Sequence, residues 1–359
     1  MKTDRMKVAE EYSSRVGTYN VGSLATRPEG ERKLRMLISK GDVVVDVGCG
    51  PGFALPVVMH RIGRNGLAVA LDISIHMLKE ARRCLQSWKF PSRRFDRSGS
   101  RVRGLEEGPP HGARVFFVLG DGERLPFRDD RIDVAFSLST LHRMDPEIGM
   151  KEMWRTIKPG GYIFVQIPAA HDEDAMVFEH IPPSFLPRKV PKGFPPDFRV
   201  DPGYWRDEQS SWGDFKDFCR QRLPWLAEAI GSGWFNGYED LRKQYNKYKE
   251  GKASLRELET FIGSWERRHD AGELEWICFP TRRYFSSILR KLEDAGAIVV
   301  ECYTGSLQSD VMRLSKKRYF EFYVYTYSQV VRSHVAVLAK PLWVAGKAST
   351  VDPDSQHKL

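Results

Sequence analysis

A chain of 359 residues, 41% hydrophobic and 12% aromatic, can bury a large core without staples, which excludes a peptide scaffold and wholesale disorder. Its formal net charge of +9, spread over this length, permits an anionic partner without demanding one. Cys49, Cys84, Cys219, Cys278 and Cys302 are odd in number, scattered and without a C-x-x-C pair, so neither a disulfide framework nor a metal site is expected. Met1 to Glu11 alternates charges with single apolar residues and lacks the apolar segment of a signal peptide. No apolar run reaches the roughly 18 residues of a membrane span, and a cytoplasmic protein is the expectation.

From residue 30 to about 167, strand-like apolar runs alternate with amphipathic helical ones, the pattern of βαβ units on a parallel sheet. Val43 to Val47 reads as a buried strand, Phe53 to Arg61 as the helix after it and Leu67 to Leu71 as a second strand. Ser74 is placed to cap a helix through Arg83. Residues 88–113 hold Lys89, Arg93, Arg94, Arg97, Arg101 and Arg103 among Gly99, Gly104, Gly108 and Pro109-Pro110, which predicts a flexible basic loop. Arg114 to Leu119 and Ile132 to Ser137 are the third and fourth strands. Asp145-Pro146 supplies the N-cap and first-turn proline of a helix carrying Ile148, Met153, Trp154 and Ile157. Lys158-Pro159-Gly160-Gly161 ends that helix, and Tyr162 to Ile167 is the fifth strand.

The texture changes at Pro168. Ile181 to Pro202 is too proline-rich for a helix or a central strand, and Trp205, Trp212, Trp225, Trp234, Trp265 and Trp276 follow in helical segments. The clearest helix is Ala253 to His269, with Leu255, Leu258, Ile262 and Trp265 on one face. Thr281 then caps another helix that Gly296 ends, and Ala297 to Tyr303 and His334 to Leu338 are two further strands. The expected fold is α/β, a doubly wound, Rossmann-like seven-stranded sheet with a helical, Pro/Trp-rich cap insertion. Its divisions are an N-terminal lid segment 1–29, a core 30–167 carrying the basic insertion 88–113, a substrate cap 168–280, a completion of the sheet 281–345 and a flexible tail 346–359. The final His357-Lys358-Leu359 is a distant match to a peroxisomal address, with His in place of Ser.

Asp46-Val47-Gly48-Cys49-Gly50-Pro51-Gly52 lies where the first strand turns into the first helix, the place where open α/β sheets bind ligands. Glycines there admit a ligand close to the backbone. A dinucleotide fingerprint would need glycine at position 53, where this chain has Phe53. The carboxylate of Asp46 would repel a pyrophosphate and suits a cation instead. Cys49 reads as a small buried filler.

These residues resemble the glycine-rich turn of the class I S-adenosylmethionine-dependent methyltransferases, in particular the small-molecule group that includes the ubiquinone-biosynthesis type (methyltransferase type 11). The resemblance covers about residues 10–167 and, more loosely, 281–340. It implies that Gly48, Gly50 and Gly52 lie under the methionine part of S-adenosylmethionine and that Asp46 supports its orientation or its ammonium. It implies further that Asp72 accepts both ribose hydroxyls, that Ile73 packs on the adenine or ribose, and that Asp121-Gly122 receives the exocyclic amine. Ser137 to His142 would end the fourth strand beside the methyl group, and Tyr12 and Tyr19 fall where family members close an aromatic lid.

The reaction this implies is an in-line attack of an N, O or C nucleophile on the activated methyl, mostly served by positioning. A base is needed only for a hydroxyl or an acidic carbon, and His142 is the candidate, with a loop-fixing role as its alternative. The aromatic cap favours a small, planar or lipophilic acceptor. Two other readings compete. An RNA methyltransferase is suggested by the basic segment and by a likeness at Leu125 to Phe127 and Leu141-His142 to wobble-uridine tRNA enzymes, but their Trp-Ala-x-Glu-Gln stretch is missing. A non-catalytic partner subunit is opposed by the intact set of Asp46, Asp72 and Asp121.

Overall fold

Five apolar runs of the first half form parallel strands. In this computed structural model, which describes residues 5–14, 27–87, 89–95, 101–107, 113–169, 213–235, 237–306 and 332–342, they are β1 (Val43–Val47), β2 (Leu67–Asp72), β5 (Arg114–Leu119), β6 (Ile132–Leu138) and β7 (Ile157–Ala169). β10 (Ile298–Ser306) and β11 (Arg332–Ala339) complete a seven-stranded sheet of order β10-β11-β7-β6-β1-β2-β5, with β11 antiparallel to both its neighbours. β1 sits between β2 and β6, Val45 pairing with Val69 and Ala135. Its run is apolar on both faces because both are covered. Val45 and Val47 join a layer with Met150 and Met153 of α5 (Pro146–Thr156) and Phe285, Ile288 and Leu292 of α10 (Arg282–Asp294). Val44 faces the opposite layer, with Leu34 of α2 (Arg27–Leu37), Leu55, Val58 and Ile62 of α3 (Leu55–Ile62), and Leu78 and Leu85 of α4 (Ile75–Ser87). The winding reverses between β1 and β6, so the carboxyl ends of β1, β2, β5 and β6 surround a crevice.

The caps fall where the side chains require them. Asp145 accepts from the amides of Glu147 and Ile148, and Thr281 from that of Tyr284. His334, fully buried on β11, ties three segments together: one ring nitrogen lies 2.8 Å from the Pro280 carbonyl and the other 2.7 Å from Thr304 Oγ1. A carbonyl only accepts, so Nε2 carries the proton, and burial lowers the pKa of the ring to about 4.

Two expectations need correction. The basic segment 88–113 contains an antiparallel pair outside the main sheet, β3 (Lys89–Phe95) and β4 (Arg101–Glu107), in register from Lys89↔Glu107 to Phe95↔Arg101. Charge density reports solvent contact and says little about backbone pairing, and the missing N–H of Pro91 is tolerated in a pair with free edges. The helix expected to include Ile157 ends at Thr156, since Ile157 is extended at φ −75° and ψ 144°. β7 therefore starts there, with a register shift between the Ile132 and Val134 pairings that loops out Lys158 to Gly161.

Between β7 and α10, residues 213–278 build a third apolar cluster from α6 (213–222), α7 (Pro224–Ser232), β8 (Trp234–Phe235), α8 (Glu239–Lys249), α9 (Leu255–Asp270) and β9 (Ile277–Cys278). Trp225 stacks on Trp265 at 5.6 Å, and the Trp265 indole donates to the Gly237 carbonyl at 2.7 Å. These tryptophans pack on one another as core. α9 opens with a Ser254/Glu257 capping box, but Leu255, expected on its buried face, is half exposed because the first turn projects past the cluster. Trp205, Trp212, the proline run 181–202 and the tail 346–359 lie outside the described residues. Among the described residues no helix is long and apolar enough to cross a membrane.

Candidate functional site

Backbone geometry makes the site. After β1 the chain turns with Gly48 at φ +75° and Gly50 at φ +52°, a conformation that costs a side-chain-bearing residue about 1–2 kcal/mol. A Cβ on Gly48 would stand 2.0 Å from Thr140 Cγ2, so the turn and the end of β6 touch backbone to side chain. Thr140 Oγ1 donates to the Gly48 carbonyl at 3.0 Å, and Ser137 Oγ to that of Val47 at 2.9 Å. Asp72, the last residue of β2, holds the turn from the other side. Its Oδ2 accepts the Gly50 amide at 2.8 Å and its Oδ1 the Ser74 amide at 2.9 Å.

These pieces bound a cleft that opens to solvent. Of the residues singled out in the sequence, it brings together Gly48, Gly50, Asp72, Ile73, Asp121 and Gly122, with Tyr12 of α1 (Arg5–Ser14). It does not bring in the others. Asp46 is buried inside β1 and Ser137 is fully buried. Gly52, at φ +79°, gives way to Leu55 and Ala81. His142 sits in a single 3-10 turn, Leu141–Arg143, stacked on Phe279 at 5.3 Å. Tyr19 lies outside the described residues.

The cleft also contains residues the sequence did not announce, notably Arg5, Val8, Thr140, Arg143 and Met144. Arg5 reaches from α1 to Asp121 Oδ2 at 3.1 Å, to Glu123, and to the Arg143 carbonyl at 3.2 Å. Arg143 is 7% exposed, pairs with Glu11 and with Glu275 Oε1 at 3.0 Å, and lies over the Tyr12 ring at 5.4 Å. Two arginines thus bind α1 across the mouth of the cleft and tie the 3-10 turn to the 213–278 segment. In the sequence they look like any surface cations. The one available signal was Thr140, inside the Ser137 to His142 stretch already marked.

The electrostatics are acidic and strained. Burial raises the pKa of Asp46 well above its ordinary value, and the neighbouring charge of Asp72 adds to that. Asp72 is raised as well, by burial that outweighs its backbone hydrogen bonds. Cys49 is buried beside both, and burial followed by the two negative charges pushes its thiol far up, which suits the filler reading and not a nucleophile. Burial lowers the pKa of His142 to about 4, so the ring is neutral at physiological pH, and its Nδ1 has no hydrogen-bond partner among the described residues.

Residues 45–165, from β1 through most of β7, match the family model described as a methyltransferase domain. The malonyl-(acyl-carrier protein) O-methyltransferase of Marinomonas sp. is 34% identical over 135 residues, which are 37% of this chain and 41% of that protein. A ubiquinone/menaquinone biosynthesis C-methyltransferase of Neisseria meningitidis is 31% identical over 131 residues, 36% of this chain and 43% of the relative. The match thus spans about two fifths of these relatives' length. A solved geranyl diphosphate methyltransferase in complex with GPP and sinefungin aligns at 11% identity and TM-score 0.40, over 87% of this chain and 77% of the other. Seven strands in this order around a glycine turn define a doubly wound, Rossmann-like fold. Over residues 45–165 the chain is similar to the class I S-adenosylmethionine-dependent methyltransferases. The cleft offers what S-adenosylmethionine would need: two glycines without Cβ and a carboxylate whose two oxygens are held by backbone amides.

Proposed function

We propose that this chain is a methyltransferase whose acceptor is a small, aromatic or lipophilic molecule. The observation that supports it best is Asp72: it lines the cleft, and the Gly50 and Ser74 amides hold its two carboxylate oxygens, which would then serve as the acceptor pair that two vicinal ribose hydroxyls require. S-Adenosylmethionine, when bound, supplies an electrophilic methyl on a sulfonium that is already a good leaving group. Gly48 and Gly50 would let the backbone approach its methionine part. Asp121-Gly122 would take the adenine amine and Ile73 the face of adenine or ribose. α1, with Arg5, Val8 and Tyr12, would serve as the lid that keeps water out, and residues 168–280 as the cap that selects the acceptor. Asp72 and Asp121, two carboxylates lining the cleft, argue against a phosphate ligand there. Names of the relatives, a quinone-pathway enzyme and a malonyl-carrier enzyme, support acceptors other than RNA.

His142 would hold the proton leaving an acceptor hydroxyl, on Nδ1. Its ring stays neutral above about pH 4, so kcat is expected to be level from about pH 5 to 8 and to fall as pH drops through about 4. His142→Gln should lower kcat by roughly 10²–10⁴-fold with little change in KM. A loop-fixing histidine would instead lower the melting temperature and leave kcat within a few-fold. The test of the whole reading is transfer of labelled methyl from S-adenosylmethionine into fractionated cell extract. Label in the small-molecule fraction is expected. Label confined to RNA would overturn the acceptor class, and saturable cofactor binding with no label in any fraction would point to a partner subunit.

A further inference from the structure

α1 is ten residues long, too short to be a stable helix on its own in water, and its one buried residue is Val8. What holds it in place is largely polar, and the contacts fall on both banks of the cleft. At one end Arg5 meets Asp121, Glu123 and the Arg143 carbonyl. At the other, Ser13 Oγ lies 3.0 Å from Ser74 Oγ and 3.1 Å from His76 Nδ1, next to the serine whose amide holds Asp72. Between the two ends Glu11 pairs with Arg143, and Val8 and Tyr12 line the cleft. Eight residues of helix rise about 12 Å, so α1 reaches from the Asp121 segment to the Asp72 segment.

The contact at Asp121 has a consequence for any ligand. Oδ1 of that carboxylate accepts the Glu123 amide at 3.0 Å, and Oδ2 lies 3.1 Å from Arg5 Nε. The oxygen that the turn leaves over is therefore the one the guanidinium holds. An adenine amine donates to the same kind of acceptor, but it is neutral, and a charge-assisted hydrogen bond is about twice as strong as a neutral one. Arg5 also lines the cleft, as does Val8 beside it on α1, together with Ile73 and Gly122. The helix and a nucleoside thus compete for one surface.

We propose that α1 is an autoinhibitory latch: Arg5 occupies the Asp121 oxygen that an adenine amine needs, and the cofactor enters only when Arg5 lets go. The latch is weak enough to release. It buries a single apolar residue, and the side chains of Arg5, Asp121 and Glu123 are all partly exposed, where ion pairs contribute modestly. Its effect is to weaken apparent affinity in proportion to the latched fraction. A helix that only closes over bound cofactor would have the opposite signature, since loss of its contacts would let the ligand leave sooner. The inference rests on the methyltransferase reading of the cleft.

The test is stopped-flow binding of S-adenosylhomocysteine to the full chain. This probe has no net charge, so added salt acts on the latch and not on the ligand. Arg5→Met is expected to associate about five-fold faster than the parent and to bind about five-fold more tightly, with dissociation little changed. Arg5→Lys, which replaces the planar fork by a point charge, should fall between the two. Raising the salt from about 0.05 to 0.5 M should speed association with the parent more than with Arg5→Met. An association rate that Arg5→Met leaves unchanged overturns the latch, and so does a faster dissociation that lowers affinity. Failure of S-adenosylhomocysteine to bind either protein overturns the methyltransferase reading itself, an outcome distinct from binding whose rate ignores Arg5.

Discussion

Asp72→Ala is expected to weaken S-adenosylmethionine by about 1.5–3 kcal/mol, roughly 10–150-fold in Kd, as read by titration calorimetry. The size follows from removing a charged acceptor from two hydroxyls while also releasing the amides of Gly50 and Ser74. Asp72→Asn keeps one acceptor oxygen and should fall between the two. The pH dependence has a definite sign. Because burial raises the folded-state pKa of Asp72, the carboxylate protonates at a higher pH than an ordinary aspartate, and affinity should drop as pH falls through that raised value. Asp72→Ala should lose that component. In the ligand-free protein the same shifts at Asp46 and Asp72 run the other way: the folded state binds protons more readily than the unfolded chain, so their contribution to stability rises as pH falls through the window above 3.8. An affinity for S-adenosylmethionine left unchanged by Asp72→Ala would sink the assignment of the cleft.

Gly48→Ala is expected to be worse for the fold and as bad for binding. The positive φ costs about 1–2 kcal/mol for alanine, and the 2.0 Å overlap with Thr140 forces the 3-10 turn away from β1 at a further cost of about 1–3 kcal/mol. Urea denaturation should show a loss of about 2–5 kcal/mol, and S-adenosylmethionine binding should disappear, since the displaced Thr140 no longer fixes the Gly48 carbonyl. The double variant with Thr140→Gly should recover the packing part and not the backbone part, which gives a coupling energy between the two positions. A Gly48→Ala protein with parent stability would mean that the turn relaxes freely and that the close approach of β1 to β6 is not a constraint.

Most of the α/β core was legible because burial on both faces forces continuous apolar runs and because caps are local. Val43 to Val47, Arg114 to Leu119, the Asp145 cap and the Thr281 cap are readable from a few neighbouring residues, as are the glycine turn and the acids that end strands. The β3/β4 pair was not, because its charged side chains conceal a pairing made by the backbone. Nor was the half-exposed Leu255, since helical spacing states which residues share a face and not how far the partner surface extends.

The amino-acid sequence by itself determined the sheet, its turn and the acidic character of the cleft, for each depends on residue type within a short window. Only the tertiary structure decided what closes and completes that cleft. Arg5 pairs with Asp121 and Arg143 with Glu275, residues from distant parts of the chain, and such ion pairs leave no trace in local pattern. The same holds for Gln166, which reads as one polar residue in a strand until its neighbours reveal that it is buried with its hydrogen-bonding capacity unspent. Partner identity is a property of contacts, and contacts exist only once the chain has folded.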